Sequence, residues 1–255
     1  MQKNRQHTDH GKRNAILLFT RSPLSEARVK RIERLGMARR VQLYTALTQH
    51  TINRAQASGY ELVVASDTQA SLFHQTGIRH VLNQHGRGFG ERLENAVRET
   101  LALGYDRIAV IGNDSPGLDS DLLCTAFRNH STGDLGLCKA ADGGVTLITL
   151  DRQTLSSLPE LFDTPRWETG FVYEDLVRIA QAHGIAILSL GHGRDIDSSA
   201  DLLRAACAVE TSAILRVFAR ILRAQPLDQR LPFRNFTLSS RRILRICRQK
   251  APPVS

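Results

Sequence analysis

"RIAVIGNDSPGL", residues 107–118, runs from an apolar stretch into a glycine, an asparagine, one carboxylate and a proline. A short apolar run closed by turn residues has the pattern of a buried strand leaving a sheet. Asp114 then stands at the mouth of that strand, and two readings are open for it. It caps a turn ahead of Ser115-Pro116, or it holds Mg2+ or Mn2+, hard cations that take carboxylate and phosphate oxygens together.

The same punctuation recurs along the chain. "AILLFT" (15–20), "ELVVAS" (61–66), "HVLNQ" (80–84), "LGLCKA" (135–140), "VTLITL" (145–150) and "IAILSL" (185–190) are further predicted strands. Between them, 37–59, 90–104, 119–130 and 168–183 have helical patterning, and another helix starts at Ser198. In 90–104, Leu93, Ala96, Val97, Thr100 and Leu101 share one face and Gly104 closes the segment. Alternation of this kind predicts an α/β fold, a mostly parallel sheet covered on both faces. The pair 135–140 and 145–150, joined by "ADGG", is the expected exception, a bent or antiparallel insertion. No internal repeat is present.

The chain has 255 residues, 42% hydrophobic and 23% charged, enough to bury the core of one large α/β domain. No apolar run approaches the ~20 residues of a membrane span. The first residues, "MQKNRQHTDHGKRN", lack the apolar centre of a secretion signal. Cys124, Cys138, Cys207 and Cys247 are widely spaced and form no C-x-x-C pair, which suits reduced thiols in a cytoplasm. The net charge of +9 is localised: residues 211–255 hold nine arginines and Lys250 against Asp228, so the preceding 210 residues balance. The expected domain therefore spans 15–210, and 211–255 forms a basic helical extension. Its segments 212–224 and 237–250 mix arginine with apolar side chains. Either 212–224 packs on the core and 237–250 stays exposed, or both lie on an anionic membrane surface, which the mixture suits better than nucleic acid because no aromatic ladder or reading helix accompanies it.

Ligands of doubly wound sheets collect beyond the carboxyl ends of the strands. Four polar clusters fall at such ends. "RSPLSEARVKR" (21–31) offers Arg21, Arg28 and Lys30 to phosphate, or is a solvated basic loop without a glycine-rich cradle. Asp114 is the second. "KAADGGVTLITL" (139–150) places Asp142 before Gly143 and Gly144, which permit close ligand approach or make a hairpin turn. "GHGRDIDSSADL" (191–202) carries His192, Asp195 and Asp197, and either adds a metal ligand or starts a helix.

In this order the clusters resemble a family of GT-A-type transferases of unknown function associated with radical-SAM and selenoprotein gene neighbourhoods. Some of its members are named arsenosugar-biosynthesis glycosyltransferases, and it is related to the nucleotidyltransferases of molybdenum and deazaflavin cofactor synthesis. The resemblance covers roughly residues 15–205 and rests on five stretches: "FTRSPLSEARVK", "QHGRGFGERLENAV", "IGNDSPGL", "ADGGVTLITL" and the run from "WETGFVYEDL" to "DIDSSADL". The first loop departs from the family in lacking a glycine before its Val-Lys. Gly88-Phe89 replaces an acidic position, and Val145 replaces an aromatic one.

The resemblance implies a GT-A-like (nucleotide-diphospho-sugar transferase) three-layer sandwich and a nucleotide or nucleotide-sugar ligand. Arg21, Lys30, Arg28 or Arg31, and Arg92 would meet the diphosphate. Asp114, with Asp197, would hold Mg2+ or Mn2+. Asp142, Gly143 and Gly144 would face the sugar or a small-molecule acceptor, with Trp167 and Thr169 on the acceptor side and Glu168 as base. For Trp167 core packing is the alternative, and for Glu91 and Arg92 a structural ion pair. The activity implied is metal-dependent glycosyl transfer. The alternatives are nucleotidyl transfer releasing pyrophosphate, or a non-catalytic nucleotide-binding descendant.

Overall fold

The computed structural model describes residues 11–193 apart from 31, 33–34, 76–77, 79 and 116. Among these the strands are β1 (Asn14–Thr20), β2 (Glu61–Ser66), β3 (His80–Asn83), β4 (Arg107–Ile111), β5 (Leu135–Ala140), β6 (Val145–Asp151) and β7 (Ile187–Gly193). The helices are α1 (Pro23–Val29), α2 (Met37–Ala57), α3 (Ser71–Gln75), α4 (Phe89–Ala102), α5 (Ser120–Asn129), α6 (Arg152–Ser157) and α7 (Val172–Ala182). All seven strands join one sheet in the order β3-β2-β1-β4-β6-β5-β7.

Period-two alternation sorts the strand side chains onto two faces. Ala15, Leu17, Val63, Ala65, Ile108 and Val110 point to the face covered by α4 and α7, where Leu93, Val97, Leu101, Leu176 and Ile179 pack. Ile16, Leu18, Leu62, Val64, Ala109 and Ile111 point to the other face, against Ile52 and Ala55 of α2 and Leu123, Ala126 and Phe127 of α5. Helix, sheet and helix make a three-layer α/β sandwich. Gly59 and Gly104, at φ +81° and +93°, follow α2 and α4 in the left-handed conformation that ends many helices.

The pairings β1–β2, β2–β3, β1–β4 and β5–β7 are parallel, whereas β6 runs antiparallel to both β4 and β5. The expected exception is therefore a hairpin whose second strand is inserted between β4 and β5. Because β6 is reversed, its first residues lie at the sheet end where β1 and β4 finish. The chain leaves β1 toward β2 and β3 on one side and returns to β4 on the other. That change of direction opens a crevice beyond the carboxyl ends of β1 and β4.

Three local readings need correction. The stretch 21–31 contains helix α1 and is not a solvated loop: Ser22 caps it by accepting from the Ser25 N–H, and Pro23 occupies the first turn. Helix α7 begins at Val172, not 168, because Glu168 takes a positive φ of 61° and interrupts the helical path. Strand β7 begins two residues later than the apolar run. Asp195, Asp197, Arg31, the helix at Ser198 and both basic segments after 211 lie outside the described residues. No helix among the described residues is long and apolar enough to cross a membrane.

Strand packing leaves no room at Gly136, where a Cβ would lie 1.9 Å from Thr149 Oγ1. Gly136→Ala is expected to cost about 2 kcal/mol through overpacking. Gly36→Ala, with nothing within 4 Å, should change stability by less than about 1 kcal/mol. Denaturant midpoints of the two variants check the contrast.

Candidate functional site

A cleft of about 440 Å3 opens at the β1–β4 crevice, and its walls come from five separate parts of the chain. Thr20 and Arg21 follow β1, and Glu26 and Lys30 come from α1 and its end. Asn113 and Asp114 follow β4. Asp142, Gly144 and Thr146 come from the hairpin, and Trp167, Glu168 and Thr169 from the loop before α7. Gln84, Phe89 and Arg92 form the remaining side. Arg21, Lys30, Asp114, Asp142 and Glu168, spread over nearly 150 positions of sequence, thus line one cavity.

Each wall is held by contacts of its own. The Ser22 N–H donates to Asp67 Oδ1 at 2.6 Å, which ties the start of α1 to the end of β2. Gln84 Nε2 donates to the Thr20 and Ala65 carbonyls at 2.8 and 3.0 Å, bridging the ends of β1 and β2. Asn113 Nδ2 donates to Thr48 Oγ1 at 2.9 Å and anchors the corner that carries Asp114 to α2. In the hairpin, the Gly144 N–H donates to Asp142 Oδ1 at 2.9 Å.

The cleft's charges form a continuous series. Glu168 Oε1 accepts from Arg21 Nη2 at 3.0 Å, and Arg21 Nη1 lies 3.7 Å from Glu26 Oε2. Glu26 Oε1 lies 3.8 Å from Lys30 Nζ, and Lys30 Nζ donates to Asp114 Oδ2 at 2.5 Å. Glu26 is 4% exposed. Burial pushes its carboxyl above the usual range, and Asp114 adds to that while Lys30 and Arg21 pull the other way. The Asp114 side chain retains 23% of its exposure. It lines the cleft, with Lys30 bound to one of its oxygens.

The loop before α7 is the most constrained part. Arg166 donates from Nε and Nη2 to the two oxygens of Asp175, both at 2.8 Å, and its backbone N–H adds a third bond at 3.0 Å. These bonds hold the Asp175 carboxyl down at about 2. Trp167 donates its indole N–H to the Phe162 carbonyl at 2.7 Å and packs 5.3 Å from Phe89, which meets Phe19 edge-on at 5.4 Å. Both readings of Trp167 apply, since it packs on the core and also lines the cleft. Thr169 donates to the Arg166 carbonyl, so its hydroxyl serves the loop.

Other residues singled out from the sequence sit differently. Arg28 is exposed on α1 and does not line the cleft; the helical turn carries it away from Lys30. Gly143 does not line it either: a Cβ there would lie 2.0 Å from the Gly170 carbonyl oxygen, so its role is to let the hairpin and the loop touch. Glu91 accepts from the Arg87 N–H at 2.8 Å and pairs with Arg87, not Arg92. Arg92 donates from Nε to the Gly88 carbonyl. Glu26 and Gln84 are among the cleft residues that the sequence reading does not single out. The signal for Glu26 was its spacing four residues before Lys30, visible only once Ser22-Pro23 is read as a helix start.

No group of three metal-ligating side chains is present among the described residues. One carboxylate at a strand end beside Arg21 and Lys30 is still a donor set suited to Mg2+ or Mn2+, which use one or two carboxylates and complete their shell with phosphate oxygens and water. The described residues would suit a cation that shares phosphate oxygens, and among them no cage made of protein alone is present.

The architecture is that of the nucleotide-diphospho-sugar transferase fold. A protein assigned as a nucleotide-diphospho-sugar transferase from Desulfovibrio desulfuricans G20 superposes with a TM-score of 0.69 at 24% identity, covering 82% of this chain and 94% of its own. A cytidylyltransferase from Leptospira borgpetersenii matches with a TM-score of 0.52 at 14% identity, over 83% of this chain and 93% of its own. A nucleotidyl transferase from Methanothermobacter matches at 0.51 and 13%, over 83% and 98%. Residues 45–169 match the family described as "Uncharacterized protein conserved in bacteria (DUF2064)". No curated protein matches the chain.

Two outcomes follow for the loop. The lowered Asp175 pKa contributes stability that is present above the ordinary carboxyl value of 3.8 and is lost as pH falls toward about 2. Asp175→Asn is expected to cost about 2 kcal/mol at pH 7 and to flatten the fall in unfolding free energy below pH 4. At residue 168, Gly is expected to be more stable than Ala by about 1 kcal/mol, because only glycine takes a positive φ without strain. Thermal melts of Glu168→Gly and Glu168→Ala give that difference.

Proposed function

We propose that the chain is a metal-dependent glycosyltransferase that uses a nucleotide-activated sugar. The observation that supports it most is the convergence of Arg21, Lys30, Asp114, Asp142 and Glu168 on one cleft at the β1–β4 crevice. Arg21 and Lys30, with Arg92 at the rim, offer the donors that a diphosphate accepts. Asp114 is the carboxylate placed to hold Mg2+ or Mn2+. When bound, that cation would stabilise charge on the departing phosphate oxygens.

Asp142 and the backbone at Gly144 face the space that a sugar would fill beyond the phosphates. Phe89 and Trp167 wall it on the apolar side and exclude water from part of it. In the reaction an acceptor hydroxyl oxygen bonds to the anomeric carbon and the bond from that carbon to phosphate oxygen breaks. The nucleoside diphosphate leaves with the bonding pair, and the hydroxyl proton passes to a base. Glu168 is the cleft carboxylate suited to take it, being 56% exposed and reachable from solvent.

The same cleft could carry attack on the α-phosphate of a nucleoside triphosphate, and the product separates the two reactions. Release of nucleoside diphosphate supports glycosyl transfer, and release of pyrophosphate supports nucleotidyl transfer. A panel of nucleotides and nucleotide-sugars, with and without Mn2+ or Mg2+, tests the binding reading first. A ligand at a hundred times its Kd adds about 2.7 kcal/mol, expected to raise Tm by about 5 °C or more. Asp114→Ala should lose the metal-dependent part of that rise and keep its own fold. A panel with no shift at all would overturn the nucleotide reading.

A further inference from the structure

Every cation at the centre of this cleft faces a carboxylate. Arg21 is held by Glu168 at 3.0 Å, Lys30 by Asp114 at 2.5 Å, and Glu26 lies between the two cations at 3.7 and 3.8 Å. Together with Asp142 the cleft presents four carboxylates against Arg21, Lys30 and Arg92. A diphosphate entering it unchanged would meet more negative than positive charge. A metal ion entering alone would find Lys30 already on Asp114 and no three-ligand group among the described residues.

We propose that the series Glu168–Arg21–Glu26–Lys30–Asp114 is a clasp that sets the order of binding, with the phosphates of the donor opening it. This rests on the reading of the cleft as a phosphate and metal site. The two outer links join different parts of the chain, the loop before α7 to the end of β1 and the end of α1 to the β4 corner. Both are partly exposed, so neither is a strong ion pair. Phosphate oxygens make charge-assisted bonds of the same kind, and a diphosphate offers several of them to both cations at once. Arg21 and Lys30 then turn from Glu168 and Asp114 to the ligand. Buried Glu26 reaches both cations from α1 itself and keeps their stems in place.

One event thereby has two effects. Asp114 loses its ammonium partner as phosphate oxygens arrive to share a cation with it. Glu168 loses its guanidinium partner and is free to face the acceptor. Donor phosphate binds first, and metal ligation and the acceptor's base become available afterwards.

The test uses the full chain and two titrations, neither of which reads activity. In the first, Mn2+ alone is titrated against wild type, Lys30→Met and Lys30→Gln. The substitutions are expected to tighten Mn2+ binding several-fold, because Asp114 no longer has a competing cation. In the second, with chelator present to remove metal, the nucleoside diphosphates UDP and GDP are titrated against wild type, Asp114→Asn and Glu168→Gln. Each substitution is expected to tighten binding several-fold by releasing one cation.

Equal Mn2+ affinity in wild type and both folded Lys30 variants would overturn the clasp. So would metal-free nucleotide binding that weakens or stays unchanged in Asp114→Asn and Glu168→Gln. Absence of nucleotide binding to any form, with Mn2+ still tightened by Lys30→Met, would instead overturn the nucleotide reading and leave the lysine latch on Asp114 standing. Circular dichroism melts confirm that each variant is folded before it is titrated.

Discussion

Strand β1 has β2 on one side and β4 on the other, all parallel, and this arrangement creates the space on which the cleft depends. Chain leaving β1 and chain leaving β4 diverge above the sheet, and no crossover fills the gap between them. Arg21 and Asp114 are the first charged side chains after those two strands. Helix α1 lies across the opening and delivers Glu26 and Lys30 into it. The reversed strand β6 brings the hairpin to the same rim. Arg21, Asp114 and Asp142 are therefore placed by strand ends, Glu26 and Lys30 by α1, and Glu168 by a loop that Arg166 and Asp175 pin.

Much of this was legible in the residues. Six of the strands begin or end within one residue of the expected apolar run, because buried strands must be apolar on both faces and turn residues close them sharply. The antiparallel pair was legible from Asp142-Gly143-Gly144, but its insertion beside β4 was not. Strand order depends on long-range pairing, and a single chain carries no local mark of it. Helix α1 was hidden by its composition, since arginine and lysine at Arg28 and Lys30 suggested a solvated loop. The cap at Ser22-Pro23 was the local signal. Once the helix is drawn, Glu26 falls under Lys30 and Arg28 falls outside.

The residues that line the cleft were legible by type more than by partner. Asp114 and Lys30 were each expected to face a ligand, and in the structure they also face one another. Gly143 was expected beside a ligand, and it is held against Gly170 instead. Both differences come from the same cause: contacts between segments more than twenty residues apart. The loop that carries Trp167 and Glu168 is fixed on one side by Arg166 and Asp175 and on the other by Gly90, where a Cβ would lie 2.0 Å from the Phe162 carbonyl oxygen. A positive φ at Glu168 persists because these contacts over-determine the loop.

The aromatic wall has a consequence for how the molecule can be observed. Trp167 is the only tryptophan in 255 residues, and its ring lies between Phe89 and Phe162 while its edge borders the cleft. Its neighbour Glu168 carries one end of the ion-pair series. Indole emission from this protein therefore comes from one place alone, and its colour and intensity respond to the polarity of that wall. Filling or emptying the cleft can be followed optically in the unlabelled chain, on the timescale of mixing, by exciting the indole to the red of the four tyrosines.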